Sequence, residues 1–380
     1  MEKDKAMNDT NTHIRNFFRR DFLKLMSAGA AGVGAAGLAG CSAQFQGAQS
    51  LRRGGIIGDE SNVSLVASTD HREAAYNSLK PLESEIVKAI GNKQVVIKPN
   101  VGQVAPEKWL NATDAGQLRG ILDFLKPIYD RKVIIAEGTA AGPLKTGPNS
   151  TFNGYKNYGY MELEREYNVE FVELNDYPTI KRFIPAPNRH PQGINLINMY
   201  LDPDVYLISA TRFKNSGGVV CTLSLKNIVM GAPINHYKQK LAANRNEKHL
   251  MHTWGRRGQH YNIFRLAAMG VQPDLAVLDG VVGMEGNGPV NGTPVEHGVA
   301  VASTDWLAAD RLGVELMGYD YNIMRYLSWC GEAGMGQDDL AKMNIIGPDY
   351  KQHIISYKHS KSLEEQIQWI YEDEEAANKG

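Results

Sequence analysis

Short, almost wholly aliphatic segments separated by helix-length stretches constrain this chain of 380 residues more than any other feature. Val63-Ser64-Leu65-Val66-Ala67, Gln94-Val95-Val96-Ile97-Lys98, Lys132-Val133-Ile134-Ile135-Ala136, Val169-Glu170-Phe171-Val172-Glu173-Leu174, Asp204-Val205-Tyr206-Leu207-Ile208-Ser209 and Asp274-Leu275-Ala276-Val277-Leu278-Asp279 all read as strands. A strand with one wet face alternates apolar and polar side chains, whereas runs apolar on both faces need cover on both. Residues 72–90 and 114–128 carry the apolar spacing of helices, the second opened by the capping-type Thr113, and another helix is expected at 161–167. The expected fold is α/β: a mainly parallel β-sheet with helices on both faces, in a single large domain over 59–350 followed by a helical tail over 351–380.

Ligands of such sheets sit beyond the carboxyl ends of the strands. The polar residues there are Lys98 and Asn100, then Glu137 and Gly138, then Lys214 to Gly218, then Asp279 and the loop Glu285-Gly286-Asn287-Gly288-Pro289. Lysine, amide and carboxylate groups among glycines suit an anionic ligand, a metal, or both. Asp70-His71-Arg72 follows the first strand and falls at the same end. His249 and His252 are three apart, so a helix would put both imidazoles on one face, where with Asp279 they are candidate ligands for a divalent metal. His236 and His260 lie nearby, but the same stretch is rich in Arg, Lys and Gly and reads more readily as a solvated polar loop than as a metal site. Asp305 reads as a helix N-cap.

Several of these residues fall in a recognisable series. The segment from Arg212-Phe213-Lys214-Asn215-Ser216-Gly217-Gly218 through Val219-Val220-Cys221-Thr222-Leu223-Ser224-Leu225-Lys226-Asn227 resembles the signature of the family called domain of unknown function 362. Lys98-Pro99-Asn100, Met284-Glu285-Gly286-Asn287-Gly288-Pro289, and Ser303-Thr304-Asp305 with Ala309-Asp310 resemble its other blocks, in the same order, over roughly residues 60–320. The family has no settled activity; some members carry ferredoxin-like cysteine motifs that are absent here, and a histidine common two residues after the first lysine is Ser216 in this chain. The expected site has Lys98, Lys226 and Glu285 as catalytic groups. Asn100, Lys214, Thr222, Asn227, Gly286, Asn287 and Gly288 are its expected ligand-binding residues, and the cofactor is unassigned, with a divalent metal one candidate.

The amino-terminal stretch has the layout of an export signal. Arg19-Arg20-Asp21-Phe22-Leu23-Lys24 precedes a small, apolar run that ends in Leu38-Ala39-Gly40-Cys41, which resembles a twin-arginine signal closed by a lipoprotein cleavage site. Residues 1–41 are therefore expected to be a signal peptide with Cys41 as the lipidated residue, and 42–58 a flexible tether. Ser42 and Ala43 replace the aspartate that often marks inner-membrane retention, which favours the outer membrane. The expected location is the periplasmic side of a bacterial envelope, with contact to the membrane through the lipid and to the twin-arginine export machinery.

Composition removes other classes. The formal net charge is −1 with both signs interspersed, so no nucleic-acid footprint is present. Cys41 aside, Cys221 and Cys330 are too few for a disulfide scaffold or a four-thiolate cluster, though one disulfide between them or two buried thiols both fit. No Gly-x-Ser-x-Gly elbow, Walker loop or Rossmann fingerprint occurs. Two functions remain: an enzyme or cofactor protein with a small-molecule site at the carboxyl end of the sheet, and a non-catalytic lipoprotein that binds a solute or partner there.

Overall fold

The computed structural model describes residues 60–140, 149–186, 188, 190–235 and 246–378. The segments read as signal and tether, with Cys41, and also His236, lie outside the described residues. In chain order the elements are β1 (Ser61–Ala67), α1 (His71–Leu79), α2 (Glu83–Ile90), β2 (Gln94–Lys98), α3 (Ala115–Leu125), β3 (Val133–Glu137), α4 (Thr151–Asn157), α5 (Leu163–Glu166), β4 (Val169–Glu173), β5 (Thr179–Pro185) and β6 (Pro191–Ile197). Then come β7 (Val205–Ser216), β8 (Val220–Thr222), α6 (Ser224–Gly231), α7 (Gly255–Ala268), β9 (Leu275–Asn287), β10 (Asn291–Ser303), α8 (Trp306–Leu316), α9 (Arg325–Glu332), β11 (Met343–Ile346) and α10 (Leu363–Asn378).

The main sheet runs β11-β1-β10-β9-β7-β2-β3-β4, with β8 paired to β7; β5 and β6 form a separate hairpin. Strands β4, β3, β2, β7 and β9 are parallel neighbours, and β10 is antiparallel to both β9 and β1. The aliphatic runs explain this arrangement, because successive side chains point to opposite faces. Val95 and Ile97 of β2 join Tyr206 and Ile208 of β7 and Leu275 and Val277 of β9 in a core under α1 to α5. Val96, Leu207, Ala276 and Leu278 face the other way, into a core shared with α6, α7, α8 and α9. The expected mainly parallel α/β sheet, covered on both faces, is what forms.

Three local departures have physical causes. The helix expected over 72–90 is two helices, split by a 3-10 turn at Lys80–Leu82, where Pro81 supplies no backbone donor. Helix α3 is capped by Asp114, whose Oδ1 accepts from the Gly116 N–H at 2.7 Å. Thr113 instead accepts from the Asn100 N–H at 2.8 Å and donates to the Ala210 carbonyl at 2.7 Å, pinning the end of β2 to β7. Thirdly, β9 continues well past its aliphatic start and pairs with β10 up to Asn287 opposite Asn291. Its Gly-rich far half reads as loop from sequence, yet the cross-strand ladder keeps it extended.

Strand β2 positions the site. From β2 the chain adds β3 and β4 on one side, then returns to place β7 and β9 on the other. That reversal opens a crevice beyond the carboxyl ends of β2 and β7, the position where open α/β sheets bind ligands. Helix α6 closes the crevice, and its first turn is anchored from behind by Asp310 of α8. The two carboxylate oxygens of Asp310 accept from the Ser224 and Leu225 N–H groups at 2.8 and 2.9 Å. Helix α10 reaches the same region: Gln366 Oε1 accepts from the N–H of Val220, a residue at φ +64°, at 2.7 Å. Among the described residues no helix is long and apolar enough to cross a membrane.

Candidate functional site

A cavity of about 480 Å³ fills the crevice, within the size range of small-molecule sites. Among the described residues four lysines line it: Lys98 from the end of β2, Lys214 from β7, Lys226 from the first turn of α6, and Lys248 from a 3-10 helix over Glu247–His252. Their exposures are 1, 2, 7 and 5%. Lysine is almost never this buried unless paired, and among the described residues only one has a carboxylate partner: Lys98 Nζ donates to Glu137 Oε2 at 2.7 Å. Glu137 is the sole carboxylate among the described residues that line the cavity. It is already committed, because it also accepts from the Val101 and Gly138 N–H groups at 2.9 and 2.8 Å.

The other three ammonium groups meet neutral acceptors. Lys214 donates to Asn100 Oδ1 and to the Asn111 carbonyl at 2.5 Å. Lys226 donates to Ser216 Oγ at 2.7 Å and Thr222 Oγ1 at 2.9 Å, and Lys248 donates to the Gly231 carbonyl at 2.6 Å. Asn227 bridges the centre, its Oδ1 accepting from both Lys98 at 2.9 Å and Asn100 at 2.8 Å. Desolvation lowers Lys226 and Lys248 to about 8 and pushes Lys214 well below the ordinary lysine value, with Lys226, Arg212 and Lys98 adding repulsion. Burial lowers Lys98 as well, opposed by Glu137. Lys98 lies against Gly231, where any side chain would collide with its Cε. Chemically, the cavity gathers lysines with one carboxylate among the described residues, and the Lys226–Ser216 contact is a pair through which a proton could pass.

The residues 95–315, which contain all but the first residue of β2, all of β7 and α6, and Lys98, Lys214, Lys226 and Lys248, match the model of the family described as domain of unknown function DUF362. The chain belongs to the DUF362 family. A thylakoid-associated protein of Synechocystis sp. is 26% identical over 170 residues, covering 43% of this chain. The chain spans about half, 47%, of that relative's length. A crystal structure of a Thermotoga maritima protein aligns with 68% of this chain and 58% of its own at a TM-score of 0.34 and 11% identity, which carries no argument about this one.

The DUF362 blocks named from sequence fall into two groups. Lys98, Asn100, Lys214, Thr222, Lys226 and Asn227 all line the cavity, as do His249 and His252. Glu285, Gly286, Asn287 and Gly288 do not. They lie on the β9–β10 hairpin, where only the following Pro289 and Val290 border the cavity. Glu285 is held below the ordinary carboxylate value by accepting from the Lys358 backbone N–H at 2.9 Å, with its ammonium also at 2.9 Å. Asn287 Oδ1 accepts from the Lys361 N–H at 3.0 Å. This block therefore ties the hairpin to the segment before α10 rather than facing the lysines.

The expected metal set also separates. Asp279 is bound to His71 Nδ1 at 2.7 Å and to the Val281 N–H at 2.9 Å, apart from the cavity. His249 and His252 share the cavity wall with Lys226, Lys248 and Arg256, and burial beside Lys226 lowers His252. Among the described residues no three His, Cys, Asp or Glu side chains come together as a metal site. His260 lies on α7 against Tyr326 and Trp369, and Asp305 caps α8. Cys221 and Cys330 are buried, unpaired thiols. Sequence reasoning singled out neither Lys248, which sits in a polar stretch, nor Asn111, and it marked Ser216 only as the residue in place of a histidine. Glu137 was visible only as a polar residue after a strand.

Proposed function

We propose that this protein binds an anionic small molecule in the lysine-lined cavity, from a position in the bacterial envelope to which it is exported and lipid-anchored. The observation that carries the reading is the imbalance of charge: among the described residues, four buried lysines share one cavity with a single, already committed carboxylate. An uncompensated buried ammonium is costly, so a negatively charged occupant offsets what the fold itself leaves unbalanced. A divalent cation would meet the opposite field. Support for the envelope location is the Arg19-Arg20 pair and the Leu38-Ala39-Gly40-Cys41 sequence, together with the thylakoid-associated description of the Synechocystis relative.

Titration calorimetry of the full chain with inorganic phosphate from pH 6 to pH 9.5 tests the binding reading. Lys226 and Lys248 are ammonium groups below about 8 and amines above it. Affinity is therefore expected to fall as pH rises through that value. Absence of phosphate and sulfate binding at millimolar concentration would contradict the reading.

A further inference from the structure

The cations are not gathered at one point. Lys226 is in the first turn of α6 and reaches back toward its amino end, where Ser216 and Thr222 hold it; Lys248 is held at the other end of the helix by the Gly231 carbonyl. Five residues of helix separate Lys226 from Gly231, which is about 7.5 Å along the axis. Helical lysine side chains lean toward the amino end, so the two ammonium groups are no closer than that. Lys98, Asn227, Asn100 and Lys214 form a hydrogen-bonded bridge between the two ends.

A single small anion reaches one end only. Among the described residues the carboxylates that act on Lys248 are Glu137, which is already bound to Lys98, and Glu173, which is not in the cavity wall; the sequence stretches 141–148 and 236–245 contain no Asp or Glu. The fork of an arginine matches carboxylate and phosphate alike, whereas lysine binds phosphate as a point charge; the cavity's Arg256 is within 3.5 Å of Glu365, which leaves the lysines as the donors. Lysines with hydroxyl neighbours suit the tetrahedral oxyanions of phosphate.

We propose that the cavity takes a small molecule with a phosphate-type group at each end, one held by Lys226 with Ser216 and Thr222, the other by Lys248. This rests on the anion-binding reading above and adds to it the number and spacing of the charges.

The test is calorimetric binding of α,ω-alkane diphosphonates of two to six carbons to the full chain at pH 7, each beside the alkylphosphonate of equal length. Flexible chains remove the demand for one particular molecular shape. The expected result is an affinity gain of about tenfold or more for the diphosphonate whose phosphorus atoms span the two lysines, about 1.4 kcal/mol per tenfold, with a maximum along the length series. K226M and K248M are each expected to bring that diphosphonate down to the level of the monophosphonate. Diphosphonates no tighter than monophosphonates at every length would overturn the two-ended ligand while leaving a single-anion site intact. If neither series binds and inorganic phosphate does not either, both readings fall.

Discussion

A lysine that loses its water must find either a counter-charge or a reason to give up its proton, and Lys226 has only two hydroxyls. Its folded value of about 8 lies below that of a free lysine, so the unfolded chain holds the proton more tightly over the interval from there to about 10.4. In that window the unfolded state binds more protons, and the stability of the ligand-free protein rises with pH. Anion affinity runs the opposite way, because the anion needs the ammonium. The same conflict predicts the outcome of Lys226→Met: phosphate binding weakened by calorimetry to what the Lys248 end alone supplies, with an apoprotein stabilised by about 1–3 kcal/mol in urea titration at pH 7. A destabilised variant that binds phosphate as tightly as the unaltered protein would mean that Lys226 is a structural strut. Lys98, Lys214 and Lys226 were legible as site residues because a lysine at the end of an aliphatic strand, or inside the Lys214-to-Asn227 block, stands out from its surroundings. Lys248 was not, since its neighbours in sequence are polar and its burial comes from elements far along the chain.

Helix α6 is the element on which the site depends, carrying Lys226, Asn227 and the Gly231 carbonyl on one short segment. Eight residues make a marginal helix alone, and its first turn is satisfied from α8 by Asp310. Asp310→Ala leaves two buried N–H groups without an acceptor, a cost of about 1–3 kcal/mol each. The expected outcome is a lower urea midpoint together with weakened phosphate binding, although Asp310 touches nothing in the cavity. Unchanged binding would show that α6 holds its place without that anchor. The hairpin of β9 and β10 marks where sequence reading gave out. Glu285 beside glycines looks like a residue on a ligand loop, but the pairing of β9 with β10 carries it along a ladder to Lys358, a partnership set by residues 73 positions apart.

At the scale of the whole molecule, the strand order places the cavity at the β2/β7 reversal, and the carboxyl-terminal parts of those strands supply two of the four lysines that line it among the described residues. The class of sheet was readable because its strands are apolar on both faces. The order of the strands was not, since it depends on which long connections return to β2. Arg19→Lys with Arg20→Lys is expected to keep the full chain in the cytoplasm, and Cys41→Ala to release it from the membrane fraction; fractionation checks both. Membrane attachment that persists without Cys41 would remove the lipid anchor from the account.

The most direct test of the central claim is a crystal of the protein soaked in sodium tungstate, with the tungsten located by anomalous scattering. The account predicts tungstate in the cavity within hydrogen-bonding distance of Lys226 or Lys248, and none there in the Lys226→Met, Lys248→Met double variant. Tungstate bound only at the outer surface, with the cavity holding water alone, would contradict it.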